Sequence, residues 1–262
     1  MLTVISPAKR LDWEGAPAGG TEPAFLADAN RLAGHARQLS LANLKGLMGL
    51  SDDLARLNRD RFRAFSDAPG AGETRQAAFA FAGDTYQGLE AKTLDADALR
   101  WADGRLWILS GLYGLLRPGD AIQAYRLEMG SRLKTRRGAS LYDFWGDRIA
   151  KALNAAAEAA GSDVLLNCAS QEYFGAVDAG VLMPRVITPV FLEERGGTAK
   201  TVSFFAKRAR GALARFVVEN RVSRAAELAA FETGGYRLDP DRSEPDRPVF
   251  IRPYPEAGAK AA

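Results

Sequence analysis

Three apolar segments of the sequence are each followed by residues whose side chains can hold a proton or a hydrogen bond. Residues 2–5, 106–110 and 164–166 are short apolar runs that we predict to be strands. In open α/β sheets, ligands bind in a crevice outside the carboxyl ends of the strands. The polar side chains after these runs are therefore expected to converge on one pocket: Ser6, Lys9, Tyr113, Arg117, Asn167, Ser170, Glu172 and Tyr173.

Two simpler kinds of catalytic site find little support in the residue pattern. Ser6 and Lys9 have the spacing of the serine nucleophile and the lysine in penicillin-binding enzymes, but the partner motifs of those enzymes are absent. His35 lies in a helical segment without a ligand-type residue at a suitable spacing, and the chain has one His and one Cys. Because soft metal sites are built largely from these two residue types, we predict no metal and no cofactor.

Basic residues concentrate in two parts of the chain. Residues 200–224 contain seven basic residues and one acidic residue, and residues 117–137 contain six and two. Either the two clusters line a groove that follows phosphates, or they are ordinary solvated surface. A helix predicted over residues 206–220 has its apolar residues on one side and its basic residues on the other. The basic residues of that outer face are Lys207, Arg208, Arg210, Arg215 and Arg221.

Residues 40–65 are predicted to form two short helices joined by a tight turn at Gly49, Leu50 and Ser51. The pattern is similar to the helix-hairpin-helix module, in which turn amides and the amino end of the second helix meet a DNA phosphate. Ser51 stands where that module has its second glycine and is a good N-cap, and two aspartates follow it. The alternative is an ordinary helix pair with one buried seam. The residues of that seam are Leu44, Leu47, Leu50, Leu54, Ala55 and Leu57.

Predicted strands and helices alternate along the chain, which is typical of a mixed α/β (α+β) domain. No internal repeat and no long linker divides residues 1–262. We therefore predict a single domain over the whole sequence. Besides the elements already given, the pattern predicts helices over residues 23–38 and 142–160, strands over residues 186–191, 201–205 and 249–252, and otherwise a loop after residue 239.

The composition is that of an ordinary globular protein. The 262 residues are 47% hydrophobic and 26% charged, and the formal net charge is +3. That charge is too small to imply a nucleic-acid or membrane partner through a global field. The single Cys168 and the absence of a signal sequence predict a cytoplasmic location. No apolar run approaches the roughly 18 to 20 residues of a membrane helix, so we predict no membrane partner.

Seven motifs are spread in order over nearly the whole chain. They are Ile5-Ser-Pro-Ala-Lys, Leu109-Ser-Gly-Leu-Tyr-Gly-Leu-Leu-Arg-Pro, Tyr125-Arg-Leu-Glu-Met-Gly, Leu141-Tyr-Asp-Phe-Trp-Gly-Asp, Asn167-Cys-Ala-Ser-Gln-Glu-Tyr-Phe, Phe205-Ala-Lys-Arg-Ala-Arg-Gly and Phe216-Val-Val-Glu-Asn-Arg. Together they resemble the peroxide stress protein YaaA family of bacteria. The resemblance implies a family-specific mixed α/β fold, the cantaloupe fold, with a positively charged cleft and a helix-hairpin-helix element. It also implies binding of duplex or branched DNA without strong sequence preference, and survival of hydrogen peroxide through less free iron and less DNA damage.

The resemblance can be carried over position by position. The matching residues are Lys9, Arg117, Tyr125, Arg126, Glu128, Lys207, Arg208 and Arg210, with roles inferred from residue type. The candidates for binding DNA or phosphate are then Lys9, Gly49, Ser51, Arg117, Arg126, Lys207, Arg208, Arg210 and Arg215. The candidates for a polar pocket are Ser6, Tyr125, Glu128, Asn167, Ser170 and Glu172.

Two functions stay open at the level of sequence. The first is a DNA-binding stress protein, expected to be a monomer, and the second is an enzyme that acts on a nucleotide or nucleic acid in the pocket around Lys9. Iron sequestration is disfavoured because the Glu-x-x-His spacing of di-iron bundles is missing. A shared buried pocket for Lys9, Glu128 and Glu172, with strongly shifted pKa values, would favour catalysis. Scattered positions along an open groove would favour binding.

Overall fold

The main sheet has five strands, and its inner strands are buried throughout. A computed structural model describes residues 1–70 and 72–255, so residues 256–262 of the predicted terminal loop lie outside the described residues. The sheet order is β6-β5-β1-β8-β9; β6 is antiparallel to β5, and the other pairs are parallel. Every residue of β1, β5 and β8 is buried, as expected for a parallel sheet covered on both faces. The strands are β1 (Leu2–Ile5), β5 (Leu106–Ser110), β6 (Gly114–Leu116), β8 (Val164–Cys168) and β9 (Arg185–Ile187).

A second sheet of four strands follows in the order β11-β10-β13-β12. Its core is aromatic: the Phe191 ring stacks on Phe250 at 5.5 Å between centroids and meets Tyr236 edge-on at 5.2 Å. The strands are β10 (Val190–Arg195), β11 (Thr198–Lys200), β12 (Arg237–Leu238) and β13 (Val249–Pro253). Two short pairs complete the strands: β2 (Arg10–Leu11) with β4 (Phe81–Ala82), and β3 (Arg75–Gln76) with β7 (Ala121–Ile122).

Helices connect these strands, and the mixed α/β class predicted from the sequence is confirmed. The α-helices are α1 (Leu26–Arg37), α2 (Leu41–Met48), α3 (Asp52–Ala64), α4 (Ala77–Ala80), α5 (Asp84–Leu89), α6 (Ala96–Asp103), α7 (Leu141–Trp145), α8 (Arg148–Ala160), α9 (Gln171–Phe174) and α10 (Ser203–Glu219). Short 3-10 helices lie at Ala91–Thr93, Ala225–Ala230, Thr233–Gly235 and Pro240–Arg242.

Helix α10 crosses α5 at very short range, and two glycines make this possible. A Cβ atom on Gly88 would overlap the carbonyl oxygen of Arg208, and one on Gly211 would overlap the carbonyl oxygen of Thr85. Backbone therefore packs on backbone at this crossing. The contact fixes α10 beside β1 and β8.

The strand predicted over residues 201–205 is wrong. β11 ends at Lys200, and the Val202 amide donates to the Glu193 carboxylate at 3.1 Å, so the chain turns and α10 begins at Ser203. The helix predicted over 142–160 is two helices, α7 and α8, because Gly146 ends α7 with φ at +51°. The predicted strand at 186–191 is likewise two strands, β9 and β10.

Two predicted faces are also wrong. Arg215 does not project from an outer face of α10: its guanidinium donates to the carbonyl oxygens of Leu89 and Glu90 at 3.2 and 3.0 Å and so caps the end of α5. In the α2–α3 pair, Leu44, Leu50 and Ala55 are buried as predicted. Leu54 and Leu57 of the same predicted seam are exposed, because the inward face of α3 carries Asn58 and Phe62 instead.

Candidate functional site

After β1 and after β8 the chain leaves the carboxyl edge of the main sheet toward opposite sides of the sheet. The next strand of this sheet after β1 is β5 on one side, whereas the next after β8 is β9 on the other. Such a reversal opens a crevice between the two strands, which is where open α/β sheets usually bind ligands. Ser6 and Ser170 meet here: the Ser170 amide donates to Ser6 Oγ at 2.8 Å, and the Ser6 hydroxyl donates to Ser170 Oγ at 3.3 Å.

A buried carboxylate, Glu128, lies in the loop between β7 and α7 and contacts Lys9. Glu128 Oε1 accepts from Arg126 Nε at 2.9 Å and lies 3.4 Å from Lys9 Nζ. The Glu128 side chain is 10% exposed, whereas that of Lys9 is 65% exposed. Glu128 Oε2 is buried and has no hydrogen-bond partner. Because buried polar atoms in proteins are almost always paired, this oxygen is suited to accept a hydrogen bond from a ligand.

The Glu172 side chain reaches the same loop, where it accepts a hydrogen bond from a backbone amide. Its Oε1 accepts from the Gly130 amide at 3.0 Å, and its own carbonyl accepts from the Tyr142 hydroxyl at 2.9 Å. The residue is exposed. Glu172 therefore holds the segment after Glu128 against the loop after β8. Lys9 contacts Glu128, and Glu172 contacts the backbone two residues further along the same loop but faces solvent.

Four buried tyrosines underlie these loops, and burial raises the pKa of each one: Tyr86, Tyr113, Tyr125 and Tyr173. The Tyr125 hydroxyl lies 2.6 Å from Ser110 Oγ, and the Tyr86 hydroxyl donates to the Ser6 carbonyl at 3.2 Å. The carboxylates of Glu172 and Glu128 help to raise the pKa of Tyr173, after burial and Tyr125. All four phenols are protonated at neutral pH, so none of them is available as a base.

Two neighbouring residues, Asn167 and Cys168, end β8, and Asn167 is a predicted pocket residue. Asn167 is buried; its Oδ1 accepts from the Ala169 amide at 3.0 Å, and its Nδ2 donates to Thr188 Oγ1 at 3.3 Å. Both polar atoms of the Asn167 side chain are therefore occupied by hydrogen bonds within the protein. Cys168 is fully buried; burial raises its pKa to about 12, and the charge of Arg210 opposes that rise. Arg210 on α10 therefore lies near the carboxyl end of β8.

One further cation at this edge comes from α3. Burial lowers the pKa of Arg61, and the neighbouring Arg126 guanidinium lowers it further. The two guanidinium groups are therefore close enough to repel each other. We call Lys9, Arg61, Arg126 and Arg210 the edge cations, since they come from four separate segments around the carboxyl edge of the main sheet.

Other predicted phosphate-binding residues lie elsewhere. Arg117 follows β6, which runs antiparallel to β5, so it lies level with Trp107 near the opposite edge of the sheet, 5.6 Å from that ring. Arg215 is occupied at the end of α5 and by an ion pair with Glu219 at 2.6 Å. Lys207 and Arg208 are exposed on the first turns of α10.

Comparison with known proteins finds relatives over nearly the whole chain. The profile of the family described as peroxide stress protein YaaA matches residues 1–242. The chain belongs to the YaaA family. A UPF0246 protein of Ruegeria pomeroyi is 66% identical over 254 residues, covering 97% of this chain and 99% of the relative. UPF0246 proteins of Roseobacter denitrificans and Dinoroseobacter shibae are each 63% identical, covering 97% and 100% of this chain and 99% and 98% of the relatives.

The segment over residues 40–65, predicted to be a helix pair joined by a tight turn, forms α2 and α3. Gly49 ends α2 in the left-handed conformation, with φ at +60° and no atom near its missing side chain. Ser51 Oγ accepts from the Leu54 amide at 3.4 Å, and Asp52 pairs with Lys45 at 2.6 Å. A hydroxyl and two exposed aspartates thus occupy the amino end of α3, the position at which a phosphate would bind.

Within residues 1–70 and 72–255, no three His, Cys, Asp or Glu side chains are grouped closely enough to hold a metal ion. Over the same residues, no helix combines the length and apolar character needed to span a bilayer.

Sequence reasoning missed Arg61 and Tyr86. Arg61 is one of four arginines on α3, and no local pattern distinguishes it from its neighbours Arg59 and Arg63. Tyr86 lies in a short helix 80 residues from the serine whose carbonyl it contacts. Only the fold brings either residue to the carboxyl edge.

Proposed function

We propose that this YaaA-family protein binds DNA through the edge cations and acts in this way in the response to peroxide stress. The observation that supports the proposal is the gathering of Lys9, Arg61, Arg126 and Arg210 from four segments. Lys9 and Arg126 share the single carboxylate of Glu128, so the four edge cations keep a net positive charge. A polyanion neutralises this charge, and the DNA backbone supplies phosphates at a regular spacing.

The charge surplus continues along α10 beyond the carboxyl edge. Lys207 and Arg208 are exposed and precede Arg210 by one turn or less. Phosphate contacts of this type position DNA without reading its sequence, because they do not touch the base edges. The proposed binding is therefore independent of sequence. It accommodates duplex or branched DNA.

A salt titration of duplex DNA affinity tests the proposal. Fluorescence anisotropy is expected to give a logarithmic slope of about −0.9 for each phosphate contact, so four contacts predict a slope of roughly −3.6. Lys9→Ala and Arg210→Ala should each reduce the slope by about 0.9. Lys151→Ala is the matched control, because Lys151 is 64% exposed and ion-paired like Lys9 but lies on α8. Affinity that does not depend on salt would contradict the proposal.

The proposed physiological consequence is protection of DNA against iron-dependent oxidation. A plasmid exposed to Fe²⁺ and hydrogen peroxide should be nicked more slowly when the protein is present. Lys9→Ala should reduce this protection, and Lys151→Ala should not. Equal protection by all three proteins would indicate that DNA contact at the carboxyl edge is not responsible.

A second candidate function is an enzyme or receptor for a nucleotide at the same edge. It is favoured by Glu128 Oε2, a buried oxygen without a partner beside Lys9 and the Ser6–Ser170 pair. A ribose hydroxyl or a base amine would satisfy this oxygen, while Lys9 would neutralise a phosphate. Burial raises the pKa of Tyr86, Tyr125 and Tyr173 near this edge, so these phenols stay protonated. They can make hydrogen bonds to a ligand but do not supply a general base. Calorimetric titration with nucleotides and with short duplexes distinguishes the two candidates.

A further inference from the structure

An aromatic surface lies at the start of α10, apart from the carboxyl edge. Phe204 is 52% exposed, and its ring lies 3.9 Å from that of Phe205 between centroids. Phe205 in turn meets Tyr254 edge-on at 5.9 Å. We call Phe204, Phe205 and Tyr254 the aromatic platform. An exposed phenylalanine supported from behind by other rings presents a free aromatic face to solvent.

Buried contacts hold this platform in place. The Arg252 guanidinium lies 4.5 Å from the centre of the Phe205 ring and 4.4 Å from that of Tyr236. Arg252 Nε is 3.5 Å from Oε1 of Glu193, whose side chain is fully buried. Glu193 also accepts from the Val202 amide, which fixes the residue before α10. The platform is therefore organised before any ligand arrives.

Cationic side chains surround the platform. Lys207 and Arg208 follow Phe204 by three and four residues, so they lie on the same face of the helix. Lys200 ends the edge strand β11 and Arg195 ends the neighbouring strand β10, and the Arg195 guanidinium lies 5.6 Å from the Tyr254 ring. Among the described residues, none of these four cations is within ion-pair distance of a carboxylate, and the first turn of α10 contains no acidic residue.

We propose that the aromatic platform binds single-stranded nucleic acid, with an unpaired base stacked on Phe204 and adjacent phosphates on Lys207 and Arg208. A positively charged surface combined with an exposed aromatic ring is the usual means of binding single strands without sequence preference. The proposal rests on the DNA-binding function and names the form of DNA engaged. Arg210 lies six residues after Phe204, about 9 Å along the helix axis and on a different face of the helix.

An anionic membrane would be attracted by the same charges, but the apolar surface on offer is small. Phe204 is the single strongly exposed apolar residue among the described residues of α10. Interfacial helices bury a continuous apolar face in the lipid. The buried residues of α10 instead pack inside the protein. A nucleic-acid strand, which needs one ring for each stacked base, fits this surface better.

The test compares a labelled oligo-dT of about 15 nucleotides with a duplex of the same length. Phe204→Ala should weaken single-strand binding roughly tenfold, the usual effect of losing one base–aromatic stack. Phe204→Trp should preserve it, and duplex affinity should change less than twofold in both variants. Met183→Ala is the matched control, since it removes a side chain that is 83% exposed at a distant loop. A 2-aminopurine base in the single strand reports stacking directly, through quenching that Phe204→Ala abolishes.

The results distinguish single-strand binding at the aromatic platform from duplex binding at the edge cations. Duplex binding together with single-strand binding that ignores Phe204→Ala overturns the platform alone. Phe204-dependent single-strand binding without duplex affinity overturns the DNA-duplex function alone. No affinity for either form overturns both. Phe204-dependent binding to vesicles of phosphatidylserine and phosphatidylcholine, without an effect on oligo-dT, overturns the platform in favour of a membrane.

Discussion

The two oxygens of the Glu128 carboxylate are in different situations, and this asymmetry separates the two candidate functions. Oε1 holds Arg126 and Lys9, whereas Oε2 is buried without a partner. For a DNA-binding cleft, the carboxylate is a local negative charge that opposes the phosphates. For a nucleotide site, the same carboxylate is the group that recognises the ligand. Removing its charge therefore has opposite effects in the two cases.

Glu128→Gln is predicted to strengthen duplex DNA binding about fivefold, because it removes roughly 1 kcal/mol of repulsion near the protein surface. The amide still accepts a hydrogen bond from Arg126. Anisotropy at constant salt measures the effect, and Glu158→Gln, an exposed glutamate on α8, is the control. Weaker binding of a nucleotide in the Gln variant, without any gain for duplex DNA, would favour the second candidate.

Cys168 is predicted to be inert toward peroxide in the folded protein, although the family is named for peroxide stress. Its thiol is buried, and burial raises its pKa to about 12, so roughly one molecule in 10⁵ carries the reactive thiolate at pH 7. Labelling with a thiol reagent should be slow in buffer and fast in guanidinium chloride. Rapid labelling of the native protein would show that the thiol is accessible.

At the scale of elements, the α5–α10 crossing positions Arg210 and the aromatic platform together. Gly211→Ala should destabilise the protein by about 3 kcal/mol, because the new methyl group meets the Thr85 carbonyl and the helices must separate. Gly34→Ala is the control of opposite sign: Gly34 lies within α1 with open space around it, so alanine should stabilise the fold by about 0.5 to 1 kcal/mol. Urea unfolding measures both. Equal stability of the two variants would contradict this account of the crossing.

The role of the turn between α2 and α3 can be tested by comparing valine substitutions at two glycines of the same conformation. Gly49 and Gly161 both end helices in the left-handed conformation, with φ at +60° and +59°, and neither has an atom within 4 Å of an added Cβ. Valine at either position should cost similar stability, because a β-branched residue is strained there. If the turn amides contact phosphate, Gly49→Val alone should weaken duplex binding. Equal DNA affinity in the two folded variants would show that α2 and α3 are a structural helix pair.

At the scale of the whole molecule, five buried tyrosines predict loss of stability in alkali. Burial raises the pKa of Tyr86, Tyr113, Tyr125, Tyr173 and Tyr236 above the value of 10.0 for a free side chain. The folded state therefore binds these protons more tightly than the unfolded chain. Stability is complete below about pH 10 and falls above it, by roughly 1.4 kcal/mol per pH unit for each tyrosine. Urea unfolding between about pH 9 and pH 12 measures this. Tyrosinate absorbance that exceeds the contribution of the two exposed tyrosines, Tyr142 and Tyr254, before unfolding would contradict it.

The inner strands of the main sheet were predictable because each is a short run of buried apolar residues with a polar ending. The start of α10 was not, since Thr201, Val202, Phe204 and Phe205 are β-branched or aromatic, which favours a strand. The Val202 amide instead donates to the Glu193 carboxylate, and the helix begins at Ser203. A helical wheel also misplaced Arg215, because it contains no information on the end of α5.

Candidate site residues were easier to identify than their partners. Ser6, Lys9 and Ser170 follow strands, and the parallel arrangement of β1 and β8 brings them to one edge. The contact of Lys9 with Glu128 spans 119 residues of sequence and depends on a loop that has no regular structure. Arg117 shows the reverse problem: β6 is antiparallel, and strand direction cannot be read from an apolar run.

The central position of β1 has a consequence for how the chain is made. Ile5 pairs with Ile108 on one side and with Cys168 on the other, so both neighbours of this strand are synthesised long after it. At translation rates of about 5 to 20 residues per second, the second neighbour emerges roughly 8 to 30 s later. Both edges of this strand are unpaired until β5 is made, and one edge stays unpaired until β8 is made. A ribosome-bound nascent chain that stops before β8 should therefore remain sensitive to protease and bind general chaperones, whereas one extended past β9 should not.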